Sequence, residues 1–161
     1  MIDKIRLQSS NVEWAIHSSH NCFKLGFRNG LVGKKMNWLL VACGGAIGAS
    51  LRYGAGFLIS KPQSLFPWTT LTINLLGCLL AGIFFAFTLR YPVLQNETRL
   101  FLMVGILGGF TTFSSFGLET FQLLRQEQIL IAMLYAVSSV VCGILVLGLG
   151  FYLVNSFLTT K

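Results

Sequence analysis

Charged residues are scarce in this 161-residue chain, where they make up 11% of the sequence and only 5 of them are acidic. An ordinary water-soluble domain carries roughly 25% charged residues, so that class is excluded. Proline is also rare, at 3 residues, and together with a hydrophobic content of 54% this excludes a disordered or collagen-like chain. The mean hydropathy of +0.71 indicates a protein of the lipid bilayer, which also removes nucleic acid as an explanation of the net charge of +7.

The chain also lacks the usual residues of metal centres and of nucleophilic catalysis. Its 4 cysteines form no CxxC pair, and its 2 histidines, His17 and His20, precede the apolar part. Neither a zinc site nor a disulfide framework is predicted, and the cysteines are interpreted as buried small hydrophobic residues. No nucleophile and base pair is visible, so an enzyme is not predicted.

Four apolar stretches account for nearly all of the hydrophobicity. They cover about 38–59, 68–89, 100–124 and 129–157. Each can cross a hydrocarbon core of about 30 Å as a helix, and the short connections favour antiparallel neighbours. The sequence therefore predicts an all-α, multi-pass protein of the cell membrane, with four transmembrane helices in a domain over 36–161.

Residues 1–35 form a basic segment without a sustained apolar face and without the h-region of a secretory signal. Met36 directly precedes the first apolar stretch, so the segment is either a disordered extension or the product of a misassigned translation start. From Met36 onward, three basic residues near the helix ends lie on one side of the membrane and two on the other. This near-equal distribution predicts insertion in both orientations, whereas the basic segment would favour an inside N terminus.

The third stretch contains the densest group of small and polar residues, GGFTTFSSFG at 108–117. Gly108 and Gly109 each weaken a helix by roughly 1 kcal/mol relative to alanine, so the helix is predicted to open there and present main-chain carbonyls. Carbonyls at mid-membrane suit a bound cation or a polar cavity. The alternative is a close helix contact in which the hydroxyls bond back to the preceding turn.

Several side chains within the stretches can donate hydrogen bonds or offer ring edges to an anion. Asn74 offers two amide donors, although an interhelical bond of about 0.6 kcal/mol is the structural alternative. Tyr135 and Ser139 are four residues apart and complete a line of donors without an acidic member. Phe113 and Phe116, three residues apart, either pack in the core or turn their positive edges to an anion.

Two charged residues and one glycine motif lie elsewhere in the stretches. Arg52 and Glu119 lie about 10 and 7 Å from the ends of their stretches, so both can reach water. Arg52 either anchors the helix or collects anions at a pore mouth, and Glu119 is assigned a vestibule or a structural role. The GxxxG spacing of Gly44 and Gly48 predicts a close helix contact.

Three strings, GGAIGASLRY at 44–53, NLLG at 74–77 and GGFTTFSSF at 108–116, resemble the Fluc family of fluoride channels, also called CrcB. The resemblance covers 36 to about 157. It implies a fluoride-specific channel that passively releases fluoride from the cytoplasm and so lowers its toxicity. It further implies an antiparallel, dual-topology homodimer, in which the broken third helices of the two subunits cross at the centre.

The resemblance also implies roles for particular residues. A structural Na⁺ that is not transported would be held by the main-chain carbonyls of Gly108 and Thr111. The fluoride pathway would be lined by Asn74, Phe113, Phe116, Tyr135 and Ser139. This chain has Gly143 where members of the family often extend the polar line with serine.

Two other functions remain open on the sequence. A small dual-topology multidrug or cation exporter has similar loops, but it needs an acidic residue deep in the first stretch, where this chain has Arg52. A membrane scaffold without transport is the second alternative, and it predicts that Asn74 and the two phenylalanines tolerate substitution.

Overall fold

The computed structural model describes residues 36–59 and 64–159, and within these two ranges all regular elements are helices. The helices are α1 over 36–59, α2 Trp68–Arg90, α3 over 97–110, α4 Phe113–Arg125 and α5 Ile129–Thr159, with a short 3₁₀ turn Pro92–Gln95 before α3. The unit Leu39–Lys161 contains nearly all of this structure. The predictions made for residues 1–35 lie outside the described residues.

Among the described residues, three helical segments are long and apolar enough to cross a membrane. They are Trp68–Arg90, Glu97–Arg125 and Ile129–Leu158, with mean hydropathies of 2.0, 1.6 and 2.6. The all-helical membrane class is therefore confirmed, and the second, third and fourth predicted stretches coincide with helices. The first predicted stretch lies within α1.

Helices α1 and α3 contact each other through glycines, without side chains between them. Gly44 of α1 faces Gly105 of α3, Gly48 faces the main chain of Ile106, and Gly109 faces Gly45. A Cβ added to Gly44 would lie 2.9 Å from Gly105 Cα, and one added to Gly109 would lie 2.5 Å from the carbonyl oxygen of Gly45. Backbones can approach this closely only where side chains are missing, which agrees with the helix contact predicted from the motif.

Helices α2 and α5 pack along each other with a similar close approach. A Cβ added to Gly150 would lie 2.6 Å from the carbonyl oxygen of Leu79, and one added to Gly82 would overlap the carbonyl oxygen of Leu147. The two contacts lie at neighbouring levels of the helix pair. They fix the faces of α2 and α5 that meet, and thereby the side chains that lie opposite one another further along the pair.

A small buried cluster connects α4 to this pair. It contains Leu71 of α2, Leu123 of α4, and Ala132 and Tyr135 of α5, with exposed fractions between 0% and 7%. Outside such contacts the surface is strongly apolar. Leu58, for example, is 89% exposed. An apolar surface of this kind suits lipid, whose tails are as apolar as leucine.

Candidate functional site

The third predicted stretch is broken, at Thr111 and Thr112. Both residues are extended, with φ and ψ of −80° and 159° at Thr111 and −150° and 117° at Thr112. The break was predicted at Gly108 and Gly109, but these residues are still helical, and the last turn of α3 is closed by a bond of 2.9 Å from Thr111 N–H to the Leu107 carbonyl. The predicted position was wrong because Gly109 is held in the helix contact with α1.

The side chain of Asn74 holds the main chain at the break. Its Oδ1 accepts the Thr112 N–H at 2.9 Å, and its Nδ2 donates to the Thr112 carbonyl at 3.2 Å. One turn further along α2, Gly77 leaves room for the Thr111 methyl group, which a Cβ at this position would overlap. Helix α2 thus fixes both extended residues, and the amide of Asn74 replaces hydrogen bonds that a continuous helix would have made internally.

The break also frees main-chain carbonyls, among them those of Gly108 and Thr111. In a continuous helix, the Gly108 carbonyl would accept the Thr112 N–H, which is instead donated to Asn74. The Thr111 carbonyl would accept the Ser115 N–H, which is instead donated to Thr112 Oγ1 at 3.1 Å in an N-cap of α4. The two carbonyls predicted to hold Na⁺ are therefore the two whose helical donors are taken by side chains.

The main-chain oxygens at the break are suitable ligands for a hard cation. Unwound main-chain carbonyls are typical Na⁺ ligands in membrane proteins, and Gly108 is exposed in the single chain. Within 36–59 and 64–159, no group of three or more His, Cys, Asp or Glu side chains is placed to hold a metal ion.

A cavity of about 260 Å³ lies beside the break, between α2, α4 and α5. Four of the five residues predicted to line the fluoride pathway lie in its wall, namely Asn74, Phe113, Phe116 and Ser139. The remaining lining residues are Cys78, Thr111, Thr112 and Val140. The structure therefore brings together residues that are up to 66 positions apart in the sequence.

The two phenylalanines form one aromatic wall of the cavity. The ring centroids of Phe113 and Phe116 are 5.5 Å apart, and the ring planes are tilted by 42°. Phe116 packs against Tyr135 at a centroid distance of 5.2 Å, whereas Phe113 is 83% exposed in the single chain. One ring is thus anchored in the core, and the other projects from the surface of the subunit.

Tyr135, the fifth predicted pathway residue, is not among the residues that line this cavity. It is fully buried, and its hydroxyl donates to Glu119 Oε2 at 2.7 Å. Thr70 donates to Glu119 Oε1, also at 2.7 Å. The predicted donor line without an acidic member is therefore wrong at this point, because the Glu119 carboxylate accepts the Tyr135 hydroxyl. Glu119 lies in an internal network, although its distance from the helix end would allow it to reach water.

Arg52 lines a different and larger cavity, of about 490 Å³, on the other side of Thr112. Thr70 and Ser115 also line this cavity. Thr112 lines both cavities. Arg52 and the pair of phenylalanines therefore belong to separate surfaces that meet only at the break.

Neither the position of Cys78 in the cavity wall nor the partners of Glu119 were predicted from the sequence. Cys78 lies four residues after Asn74, and that spacing places it on the same helix face one turn away. A carboxylate in an apolar stretch must be satisfied by donors. Tyr135 was predicted as a hydroxyl donor, but the sequence pattern does not fix the rotation of α4 that brings Glu119 to Tyr135 and to Thr70.

Comparison with known proteins places this geometry in a family. A family model described as "CrcB-like protein, Camphor Resistance (CrcB)" matches residues 39–151, which is more than two thirds of the chain. The chain belongs to the CrcB family. The matched range begins in α1 and ends in α5, so it includes the break and both cavities.

Individual CrcB relatives support the same assignment. The chain is 47% identical over 117 residues to the fluoride-specific ion channel FluC of Thermus thermophilus, covering 72% of this chain and 93% of that protein. It is 49% identical over 113 residues to the protein of the same name from Novosphingobium aromaticivorans, covering 68% of this chain and 89% of that one. With the FluC protein of Methylobacillus flagellatus the identity is 44% over 120 residues, covering 73% of this chain and 93% of that protein.

Proposed function

We propose that this protein is a fluoride-specific ion channel of the cell membrane, through which fluoride leaves the cytoplasm passively. The observation that carries the proposal is the cavity at the break, which gathers Asn74, Phe113, Phe116 and Ser139. The similarity to proteins named fluoride-specific ion channel FluC supports the same function. The protein conducts an ion and is not an enzyme.

The chemistry of the cavity suits a small anion that must give up its water. Moving an unaided ion into a medium of low dielectric constant costs tens of kcal/mol, so donors must replace the hydration shell. Asn74 Nδ2 carries two N–H groups, of which the bond to the Thr112 carbonyl uses one. The positive edges of Phe113 and Phe116 add attraction without a formal charge. Neutral groups of this kind release the ion again, as conduction requires.

Ser139 serves the pathway only after a rotation of its side chain. In the structure its hydroxyl donates to the Tyr135 carbonyl at 2.7 Å, one turn earlier in α5. Turning the hydroxyl toward the cavity exchanges this bond for one to the anion. Tyr135 acts indirectly, because it supports the ring of Phe116 and donates to Glu119.

The proposal includes a second copy of the chain, inserted in the opposite orientation, with α1 as the first of four transmembrane helices. Phe113 is 83% exposed, and a ring that projects from one subunit can complete a pathway only against another surface. From Met36 onward, the near-equal numbers of basic residues on the two sides of the membrane favour such an antiparallel homodimer. The broken helices of the two copies would then cross at the centre.

A structural Na⁺ at that centre is the other part of the proposal. The carbonyls of Gly108 and Thr111, freed from their helical donors, would hold the ion together with the same pair from the partner. When bound, the cation supplies the positive charge that balances four carbonyl dipoles gathered at mid-membrane. The side chain of Asn74 keeps this segment extended, and Na⁺ itself does not cross the membrane.

The main test measures fluoride efflux from liposomes with a fluoride electrode. Phe113→Ile removes a ring edge, and Asn74→Asp places a carboxylate oxygen where Nδ2 now donates to Thr112. Both variants are expected to lose efflux to the background of protein-free vesicles while remaining dimeric on size-exclusion chromatography. Phe121→Ile is the matched control, because Phe121 is an exposed ring of the same helix outside the cavity. Normal efflux through both variants would refute the proposed pathway, whereas no efflux through the unmodified protein would favour a scaffold without transport.

A second test concerns the cation. Replacing Na⁺ on both sides of the vesicle with a large organic cation is expected to reduce fluoride efflux, because carbonyls that face one another at mid-membrane repel without a charge between them. Radioactive Na⁺ should nevertheless not cross. Unchanged efflux without Na⁺, or a measurable Na⁺ flux, would contradict the structural role.

A further inference from the structure

The cavity extends beyond Asn74 along two parallel helix faces. On α2, Asn74 is followed one turn later by Cys78, and on α5, Ser139 is followed one turn later by Gly143. Each step is about 6 Å along its helix. Cys78 lies in the wall of the cavity together with Asn74 and Ser139, so the lining continues for at least one turn on α2.

Gly143 provides the space that the thiol occupies. Gly143 is buried, and a Cβ added to it would lie 3.5 Å from Cys78 Sγ, an ordinary van der Waals distance. The sulfur therefore covers the bare backbone of α5 directly opposite. Because Gly143 has no side chain, it adds no group of its own to the wall beside the thiol. Cys78 itself is only partly buried, which agrees with its position on the cavity surface.

We infer that Cys78 is a further lining residue of the fluoride pathway, which continues past Asn74 over the thiol. This inference rests on the proposed fluoride channel. The S–H group is a weak donor on a polarizable atom. It extends the line of neutral donors by one turn, at a level where α5 contributes only its backbone. The anion recognised there is the fluoride that has passed Asn74 and the two rings.

The inference distinguishes Cys78 from the other thiols of the described helices. Cys43 is exposed on α1, and Cys142 lies next to Gly143 but is not a lining residue of the cavity. A small thiol reagent that reaches the pathway should therefore stop conduction by reacting with Cys78 alone. Reaction at Cys43 or Cys142 should leave conduction unaffected.

The experiment uses Ag⁺ in chloride-free buffer on liposomes that contain the full chain. Ag⁺ bonds to the sulfur as the S–H bond breaks, and the proton passes to the buffer, so no oxidant or reductant is needed. Fluoride efflux should fall at least about tenfold, because a bound metal occupies a path from which ions must leave easily. Cys43→Ser and Cys142→Ser should show the same block.

Cys78→Ser is the decisive variant. Its efflux with Ag⁺ is compared with its own efflux before Ag⁺, and the ratio should be close to one, although the new hydroxyl is itself expected to change the starting rate. A block that persists in Cys78→Ser would overturn the inference, and so would wild-type efflux that Ag⁺ does not affect.

Gly143→Val gives a second readout that needs no change at Cys78, since methyl groups beside Sγ should slow the onset of the block. An unchanged onset in Gly143→Val would also count against the inference.

Failure of the inference can be separated from failure of the proposed function. Wild-type vesicles without any fluoride efflux before Ag⁺ would refute the channel itself. Efflux that is present but insensitive to Ag⁺ would refute only the role of Cys78.

Mass spectrometry of vesicles treated with methyl methanethiosulfonate tests the position of Cys78 without a measurement of fluoride efflux. Cys78 should be modified faster than Cys142, and the reverse order would contradict its placement in the cavity wall.

Discussion

Helices in this protein are held together in two different ways. Helix α1 contacts α3 through glycines, whereas α2 contacts α4 and α5 through polar side chains. The first brings two backbones together through Gly44, Gly48, Gly105 and Gly109, without side chains. The second brings polar side chains together, with Glu119 accepting two hydroxyls and Asn74 bound to a main-chain peptide. Neither contact gains much from the hydrophobic effect, because lipid is as apolar as the helix faces it replaces.

The difference lies in what each contact tolerates. A glycine contact depends on missing volume, so any added side chain separates the helices. A polar contact depends on matched donors and acceptors, so it tolerates removal of the whole set better than loss of one member. We therefore expect size changes to have the largest effects at the first contact and unbalanced polar changes to dominate at the second.

Gly48→Leu should produce the largest loss of stability. A Cβ at this position would overlap the Ile106 carbonyl oxygen and lie 2.8 Å from the Phe110 main-chain nitrogen. Overpacking of this kind is expected to lower the free energy of unfolding by more than about 3 kcal/mol. Unfolding in detergent micelles, followed by circular dichroism, measures it. Gly54→Leu in the same helix is the control, since a Cβ there has no neighbour within 4 Å. Equal losses in the two variants would show that the glycine contact does not hold α1 to α3.

Glu119→Ala should have the second largest effect. It leaves the buried hydroxyls of Thr70 and Tyr135 without their acceptor, and the free energy of unfolding should fall by about 2 kcal/mol. The triple variant Thr70→Val, Glu119→Leu and Tyr135→Phe should recover most of this loss, because it removes both donors with the acceptor. If the triple variant is less stable than Glu119→Ala, the polar contact is not a set of matched partners.

Thr112→Ala should have the smallest effect. Thr112 Oγ1 caps α4 by accepting the Ser115 N–H at 3.1 Å, and loss of an N-cap costs about 1 kcal/mol. Thr112→Ser keeps the oxygen and should stay close to the wild type in the same unfolding measurement. The main-chain bonds of Thr112 to Asn74 do not involve its side chain and remain in both variants. A loss as large as that of Glu119→Ala would indicate that the hydroxyl does more than cap the helix.

The fold was largely predictable from the sequence because hydrophobicity and length determine membrane helices directly. The predicted 68–89 and 129–157 agree within two residues with the helices Trp68–Arg90 and Ile129–Thr159. The exact break in the third stretch was not predictable. Glycine propensity pointed to Gly108 and Gly109, but the partner that makes the break possible is Asn74 of another helix.

The candidate site was predictable in composition but not in arrangement. Polar and aromatic residues within apolar stretches predicted Asn74, Phe113, Phe116 and Ser139 as site residues. In the structure these four residues lie around one cavity. Spacing within a helix cannot fix the rotation of one helix against another. For that reason, the sequence could not predict that Tyr135 donates to Glu119 or that Cys78 lies opposite Gly143. Both contacts depend on how the helices pack in the structure.

The length of α5 gives the protein a particular sensitivity to bilayer thickness. Its 31 residues rise about 46 Å as a helix, close to the full width of a membrane with its headgroups. The 13 residues of α4 rise only about 20 Å and begin at the break. In a thinner bilayer, α5 can adapt by tilting as one straight helix. The third stretch consists of two shorter helices, which can adapt by changing the angle between them at Thr111 and Thr112. We therefore expect lipid chain length to affect the geometry of the break first.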